Sequence, residues 1–136
     1  MNAIFEHDFI YTAGIYSVVV MAIIVFLAVF EVVTRYSAWE EIKKGNTAVA
    51  MATGGKIFGV ANVFRHSIQA NDTVLMMLAW GAYGFVLLLF VYFIFEFLTP
   101  KFKVDEELKR GNRAVGLISF ILAAALSYVI GASIRH

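Results

Sequence analysis

The chain has no cysteine, one proline (Pro100), and charge on only 15% of its 136 residues. The first absence excludes disulfides and thiolate chemistry and leaves the redox compartment undetermined. The second leaves the long apolar runs before Pro100 without their strongest helix breaker. The third excludes an ordinary soluble domain, where about a quarter of the residues are charged. Catalytic signatures are missing too: no nucleophile elbow, His-carboxylate metal set or phosphate loop can be found, so an enzyme is the least expected reading. His7, His66 and His136 are scattered, with no two at ligand spacing, so neither a metal nor another cofactor is expected. Nucleic-acid binding has no support either. In place of charge stand 61% hydrophobic positions, 13 of the residues being Phe. They fall in blocks matching the ~20 helical residues that cross a bilayer.

Between those blocks one motif occurs twice. Residues 40–49 read Glu-Glu-Ile-Lys-Lys-Gly-Asn-Thr-Ala-Val and residues 106–115 read Glu-Glu-Leu-Lys-Arg-Gly-Asn-Arg-Ala-Val. An offset of 66 carries Glu40 onto Glu106, Glu41 onto Glu107, Gly45 onto Gly111 and Asn46 onto Asn112. The motif predicts a short helix with acids at its start and bases at its end, both favourable to the helix dipole. Gly45 or Gly111 then stops it in the left-handed conformation, and Asn46 or Asn112 caps the next helix. Such an elbow is a geometric corner that needs no chemistry.

The expected architecture is an all-α membrane protein, a single domain over 1–136. Its four transmembrane helices cover roughly 9–33, 46–64, 73–98 and 113–134. They form two parallel two-helix repeats (9–68 and 73–134), each with a short amphipathic elbow. Tyr36, Trp39 and Ile42, spaced by three, would lay the first elbow's greasy stripe at headgroup level. Eight of the 11 Lys and Arg lie in two segments: Arg35, Lys43 and Lys44, then Lys101, Lys103, Lys109, Arg110 and Arg113. Cytoplasmic loops carry such an excess, which places both elbows inside, and both termini and the 69–73 turn outside. A pseudo-two-fold axis along the membrane normal follows. The N-terminus is acidic, with no Lys or Arg before the first run, and so reads as a retained span rather than a cleaved signal.

The second span is the odd one. It is rich in small residues, and Gly55 with Gly59 permits close approach of another helix. Ser119, Ala123, Ser127 and Gly131 make a matching small stripe on span four. Span two also carries Lys56, ten residues past Asn46 and thus about 15 Å deep. A charge there costs at least about 2.5–3.5 kcal/mol and normally faces protein or water. A snorkelling or ion-paired structural lysine and an anion-attracting or proton-accepting pathway group fit the position equally. Glu31 and Glu96, near the inner ends of spans one and three, read as interfacial salt-bridge partners, Glu31 with Arg35. A ring of such carboxylates could instead select cations in an oligomer. Asn62 is a further candidate for the pathway, its plainer reading being a hydrogen bond to a neighbouring helix.

Two spans around Glu-x-x-x-Gly-Asn-x-Ala, used twice, resemble the domain-of-unknown-function family numbered 350, and Gly-Gly-Lys-Ile-Phe-Gly-Val-Ala-Asn at 54–62 is similar to its Bacillus-type members. The resemblance covers the whole chain. It implies a four-span bacterial inner-membrane protein and no particular activity.

Two functions remain in view. One is a homo-oligomeric channel or transport subunit with Lys56 on a central cavity lined by span two. The other is a non-transporting scaffold in the lipid bilayer, docking a cytoplasmic partner on its elbows, for which Lys56→Leu would be harmless. By the offset of 66, Lys56 corresponds to Leu122 and Arg65 to Gly131, so one span became polar while its counterpart stayed apolar.

Overall fold

The computed structural model describes residues 2–34, 36–71, 73–98 and 103–134, with side chains from residue 7 onward and excluding those of 96–98. Helices α1 (Asn2–Val33), α3 (Thr47–Ala70), α4 (Val74–Leu98) and α6 (Arg113–Ile134) are each long and apolar enough to cross a membrane. Two short helices, α2 (Ala38–Lys43) and α5 (Val104–Lys109), connect them in pairs. Among the described residues there is no strand. The chain is an all-α, four-span membrane protein.

The two Gly-Asn corners fold alike. Gly45 and Gly111 have φ of +89° and +85°, the left-handed region that L side chains avoid. At the first corner, Asn46 N–H donates to Glu41 O and Gly45 N–H to Ile42 O, each at 2.9 Å. Asn112 N–H to Glu107 O and Gly111 N–H to Leu108 O repeat the pattern at 3.0 and 2.9 Å. These are the paired bonds of a Schellman stop, which satisfy the last carbonyls of the short helix. The same asparagines open the next helices: Asn46 Oδ1 accepts from Val49 N–H at 3.2 Å, and Asn112 Oδ1 from Val115 N–H at 3.4 Å.

The corners differ in what their amides reach. Asn46 Nδ2 lies 3.1 Å from Glu41 Oε1 and 3.0 and 3.1 Å from the carbonyls of Leu108 and Lys109. Asn46 therefore caps α5 as well as starting α3, and fastens both elbows together at one end of the bundle. Asn112 Nδ2 bonds Glu107 Oε1 at 3.1 Å and, among the described residues, reaches no carbonyl of α2.

The greasy stripe expected on the first elbow is not a single lipid-facing surface. Tyr36 is buried and Ile42 partly buried against Ala48, Val49, Ala52, Val104, Leu108 and Val115, while Trp39 is 65% exposed. Elbow helices two turns long meet the starts of α3 and α6 first, and bury their apolar side there.

Helix α3 is the axis of the fold: it packs most extensively on α6, then on α4, and also meets α1, α2 and α5. Apolar burial does not drive association between helices surrounded by lipid, so close van der Waals packing between small residues must serve. A Cβ on Gly116 would stand 2.7 Å from Ala48 O and 2.8 Å from Ala48 Cα. One on Gly55 would meet Phe120 Cα at 2.7 Å, and one on Gly59 would meet Leu88 Cδ2 at 2.9 Å and Ala123 O at 3.3 Å. Asn62 Nδ2 donates to Ser127 Oγ at 2.9 Å, and Gly131 lies against the His66 ring. These pairs advance together along both helices, so α3 and α6 run parallel.

Two expectations need correction. Span two does not end near residue 64: α3 continues to Ala70. Its last turns satisfy their own polar groups, since Arg65 Nε donates to Asn62 Oδ1 at 3.3 Å, His66 Nδ1 lies 2.9 Å from Asn62 O, and Asn71 Nδ2 donates to Ser67 O at 2.9 Å. The helix can therefore outlast the apolar stretch. The expected two-fold arrangement is also incomplete. Helix α4 packs against both α3 and α6, whereas α1, its counterpart by the offset of 66, packs against α3 and α4 and has no comparable contact with α6.

Candidate functional site

Lys56 projects from α3 into a cluster that no single helix could make. Its ammonium lies 4.9 Å from the ring centre of Tyr92 on α4, 5.4 Å from Phe30 on α1 and 5.8 Å from Tyr36 in the α1–α2 linker. All three are within cation–π range of about 6 Å, and desolvated contacts of this kind are the stronger ones. Helical side chains lean toward the helix N-terminus, here the elbow end, which is why a residue on the third turn of α3 meets residues at the elbows. Tyr92 continues the chain of contacts: its hydroxyl donates to Asp105 Oδ2 at 2.6 Å. Asp105, in the first turn of α5, is only 2% exposed.

The offset of 66 shows how one-sided this cluster is. Lys56, Tyr92, Asp105 and Tyr36 correspond to Leu122, Phe26, Trp39 and Phe102. Each of the four polar members has an apolar counterpart. At the equivalent place Phe26 stacks on Phe85 and Phe64, at 4.5 and 5.7 Å between centroids. Burying polar groups costs free energy unless they find partners, and here the partners come from several elements at once.

Two cavities adjoin the cluster, and Phe30 and Lys56 line both. The smaller, about 40 Å³ and large enough for water, lies toward α4, α5 and α6, with Tyr92 and Ser119 on its wall. The larger, a cleft of about 500 Å³, lies between α1, α2 and α3, with Glu31, Trp39 and Thr53 on its wall. Thr53 and Ser119 correspond by the same offset. Their buried hydroxyl oxygens have no hydrogen-bond partner among the described residues. Lys56 and Phe30 thus stand between a small pocket toward α4, α5 and α6 and a larger cleft toward α1 and α2.

The structure separates the other candidate residues from this cluster to different degrees. Glu31 lines the cleft, and its Oε1 accepts from Ala38 N–H at 3.0 Å, so it caps α2 rather than acting only through an ion pair. Its expected partner Arg35 and the side chain of Glu96 lie outside the described residues. Asn62 belongs to a separate group near the other end of α3, with Ser127, Arg65 and His66. Gly55, Gly59, Ala123, Ser127 and Gly131 line the close approach of α3 to its neighbours. Ser119 lies on that stripe and also faces the smaller cavity. Among the described residues no group of His, Asp and Glu could hold a metal ion.

At the elbows Glu40 and Glu106 are exposed, while Glu41 and Glu107 turn inward to receive Asn46 and Asn112. The Asn46 amide, with help from Lys44 and Lys109, holds the Glu41 carboxyl below the ordinary range of a glutamate. The surface pairs Glu41–Lys44 at 3.6 Å and Glu107–Arg110 at 3.2 Å contribute little by themselves.

Asp105 and Tyr92 were missed as candidates. Asp105 stands beside Glu106 and Glu107, and three acids opening a short helix already have a sufficient explanation in the dipole. The signal that distinguishes it is the offset itself, which sets Asp105 against Trp39 while Glu106 and Glu107 match glutamates.

Residues 4–134 match the family model described as Domain of Unknown Function (DUF350). The chain belongs to that family. This DUF350 member is 57% identical over 134 residues to the UPF0719 transmembrane protein YshE of Bacillus subtilis (strain 168), an alignment covering 98% of this chain and 100% of that one. It is 27% identical over 108 residues, 79% of each chain, to the UPF0719 inner membrane protein YjfL of Escherichia coli (strain K12). No solved structure matches it.

Proposed function

We propose that this DUF350 member is a transport subunit of a bacterial cytoplasmic membrane, with the Lys56 cluster on its pathway. The observation that carries the reading is the placement of Lys56 and Phe30 between two cavities, in a cluster whose polar members all have apolar counterparts in the other half. A lysine at membrane depth normally serves a pathway or a partner, and here it lines two adjoining cavities. The Lys and Arg excess of the elbows favours the expected orientation, with both elbows toward the cytoplasm and the termini and the 69–73 segment outward. A self-associated assembly suits so small a chain, and α1 has ample uncovered surface for contact with another copy.

The scaffold reading loses its main support at the elbows. Their apolar residues Ala38, Val104 and Leu108 are buried against α3 and α6, which leaves a docking partner mostly charged surface and Trp39.

The test is ion flux through liposomes containing the purified protein, with Lys56→Leu beside the parent. Selective flux that changes with the substitution is the expected result. Silence across several cations and anions from a folded sample in its native assembly would overturn the pathway and return the weight to a scaffold.

A further inference from the structure

The two repeats do not meet through equivalent faces. Helix α3 approaches α6 with Ala48, Gly55, Gly59 and Asn62, and α6 answers with Gly116, Phe120, Ala123 and Ser127. Carried across by the offset of 66, the α3 set becomes Ala114, Ile121, Ala125 and Tyr128, and the α6 set becomes Ala50, Gly54, Ile57 and Ala61. At 3.6 residues per turn the two faces lie about 130° apart around the helix. A two-fold axis would set one face against itself, so the repeats are joined head to tail instead. The complementary pair of faces is left over: its residues are exposed, apart from Gly54, which is half-buried. Two further contacts are one-sided in the same sense. Helix α4 covers the α3 face that holds Gly59, Val63 and Ser67, whereas the matching α6 face, Ala125, Val129 and Ser133, is exposed because α1 does not cover it. Asn46 bonds the carbonyls of Leu108 and Lys109, whereas Asn112, among the described residues, reaches no carbonyl of α2. Each of these contacts runs from the first repeat to the second, and each lacks its counterpart from the second back to the first.

A second copy of the chain supplies all three counterparts. We propose that the protein assembles head to tail, with α6 of one copy packed on α3 of the next as α3 packs on α6 within the chain. Ala114 then meets Ala50 of the next copy, Ile121 meets its Gly54, and Tyr128 meets its Ala61. Val18 of that copy covers Val129, as Gly84 lies against Val63 inside the chain. Asn112 reaches the carbonyls of its Ile42 and Lys43. Each α6–α3 pair sets at least one small residue at the contact, the condition for close packing between helices in lipid. The exposed strip of α6 adjoins the strip already packed on α3 and α4, so the new contact continues an existing interface. Within the chain, the paired residues of α3 and α6 lie within two positions of the pure offset, so the two helices sit at one level. The step from repeat to repeat therefore has no rise along the membrane normal, and repeating such a heterologous contact closes a ring. Self-association, a part of the transport reading, thereby gains a surface and a register, while the ring itself requires no flux.

The absence of cysteine makes that register measurable by disulfide formation. Ala50→Cys and Ala114→Cys are placed in the full chain singly and together, and native membranes are oxidised with copper phenanthroline. Both alanines lie on the left-over faces, turned away from the α3–α6 contact, so a bond between them joins different copies. The expected result is a covalent ladder from the double variant, at least tenfold above either single variant, and dimers alone when the two single variants are co-expressed. Val18→Cys with Val129→Cys, at the α1–α6 contact, should give the same pattern and guards against a local effect of the first pair. A single variant that links to itself as readily as the pair would mean a two-fold contact and would overturn the proposal. So would failure of both pairs to link above their single variants, or a monomeric mass for the parent chain by native mass spectrometry from lipid nanodiscs. The two readings can fail separately. Ion flux without linking of the pairs sinks the ring and leaves transport, whereas linked copies without flux leave the ring and sink transport.

Discussion

Gly116→Ala tests the packing on which the site depends. The added methyl carbon would lie 2.7–2.8 Å from the backbone oxygen and Cα of Ala48. Non-bonded carbon contacts are comfortable at about 3.5–4.0 Å. Neither partner can move alone, because Ala48 and Gly116 are both in the opening turns of long helices, so α6 must shift from α3 by about 1 Å. Overpacking of this kind costs about 1–3 kcal/mol. A shift of that size also stretches the 2.9 Å bond from Asn62 to Ser127 beyond hydrogen-bonding range. Such bonds inside membranes contribute about 0.6 kcal/mol on average. The expected loss is therefore about 2–4 kcal/mol. Gly14 on α1 is the control, since a methyl there meets nothing within 4 Å. Reversible unfolding of the purified protein in mixed micelles, followed by circular dichroism, would compare the two. If Gly116→Ala proved as stable as Gly14→Ala, the close parallel pairing of α3 with α6 would be wrong, and with it the position of Lys56.

Asn46→Ala should cost about 2 kcal/mol in the same assay, because it removes a helix cap and the link to the Leu108 and Lys109 carbonyls, whereas Asn112→Ala should cost about 1 kcal/mol for the cap. Tyr92→Phe should cost about 1.5–3 kcal/mol, the range for a hydrogen bond to a charged group, since it removes the hydroxyl 2.6 Å from the buried Asp105 Oδ2; no loss would mean that this bond does not tie α4 to α5. The depressed Glu41 carboxyl stabilises the elbow above its unfolded value, ordinarily 4.5, and that contribution fades as the pH falls through the lower folded value. Acid titration of unfolding should accordingly be flatter below pH 4.5 in Glu41→Gln, and identical acid limbs would refute the Asn46–Glu41 link.

The corners were legible because their chemistry is local. A glycine that must take φ near +89° and an asparagine that caps the following helix act within a few residues of themselves, so Gly45-Asn46 and Gly111-Asn112 can be recognised in the linear chain. The span from 113 to 134 was placed at its observed limits for the same reason, starting after a cap and ending where the apolar run ends. The end of α3 was not, because Arg65, His66 and Asn71 look like interface residues until their hydrogen bonds inside the helix are seen.

Apolar length, small-residue spacing and the doubled motif by themselves determined four membrane helices, two corners and a lysine at depth, since each depends on composition along one helix. What surrounds that lysine was decided in three dimensions. Phe30, Tyr36 and Tyr92 come from a helix end, a linker and another helix, with Asp105 of the opposite elbow behind Tyr92, and no spacing along the chain relates them to Lys56. They meet because glycines let α6 lie close against α3, because α4 fits beside both, and because Asn46 draws α5 beneath the start of α3. A buried charge is tolerated only where other elements bring groups to it, and the tertiary packing decides which groups those are.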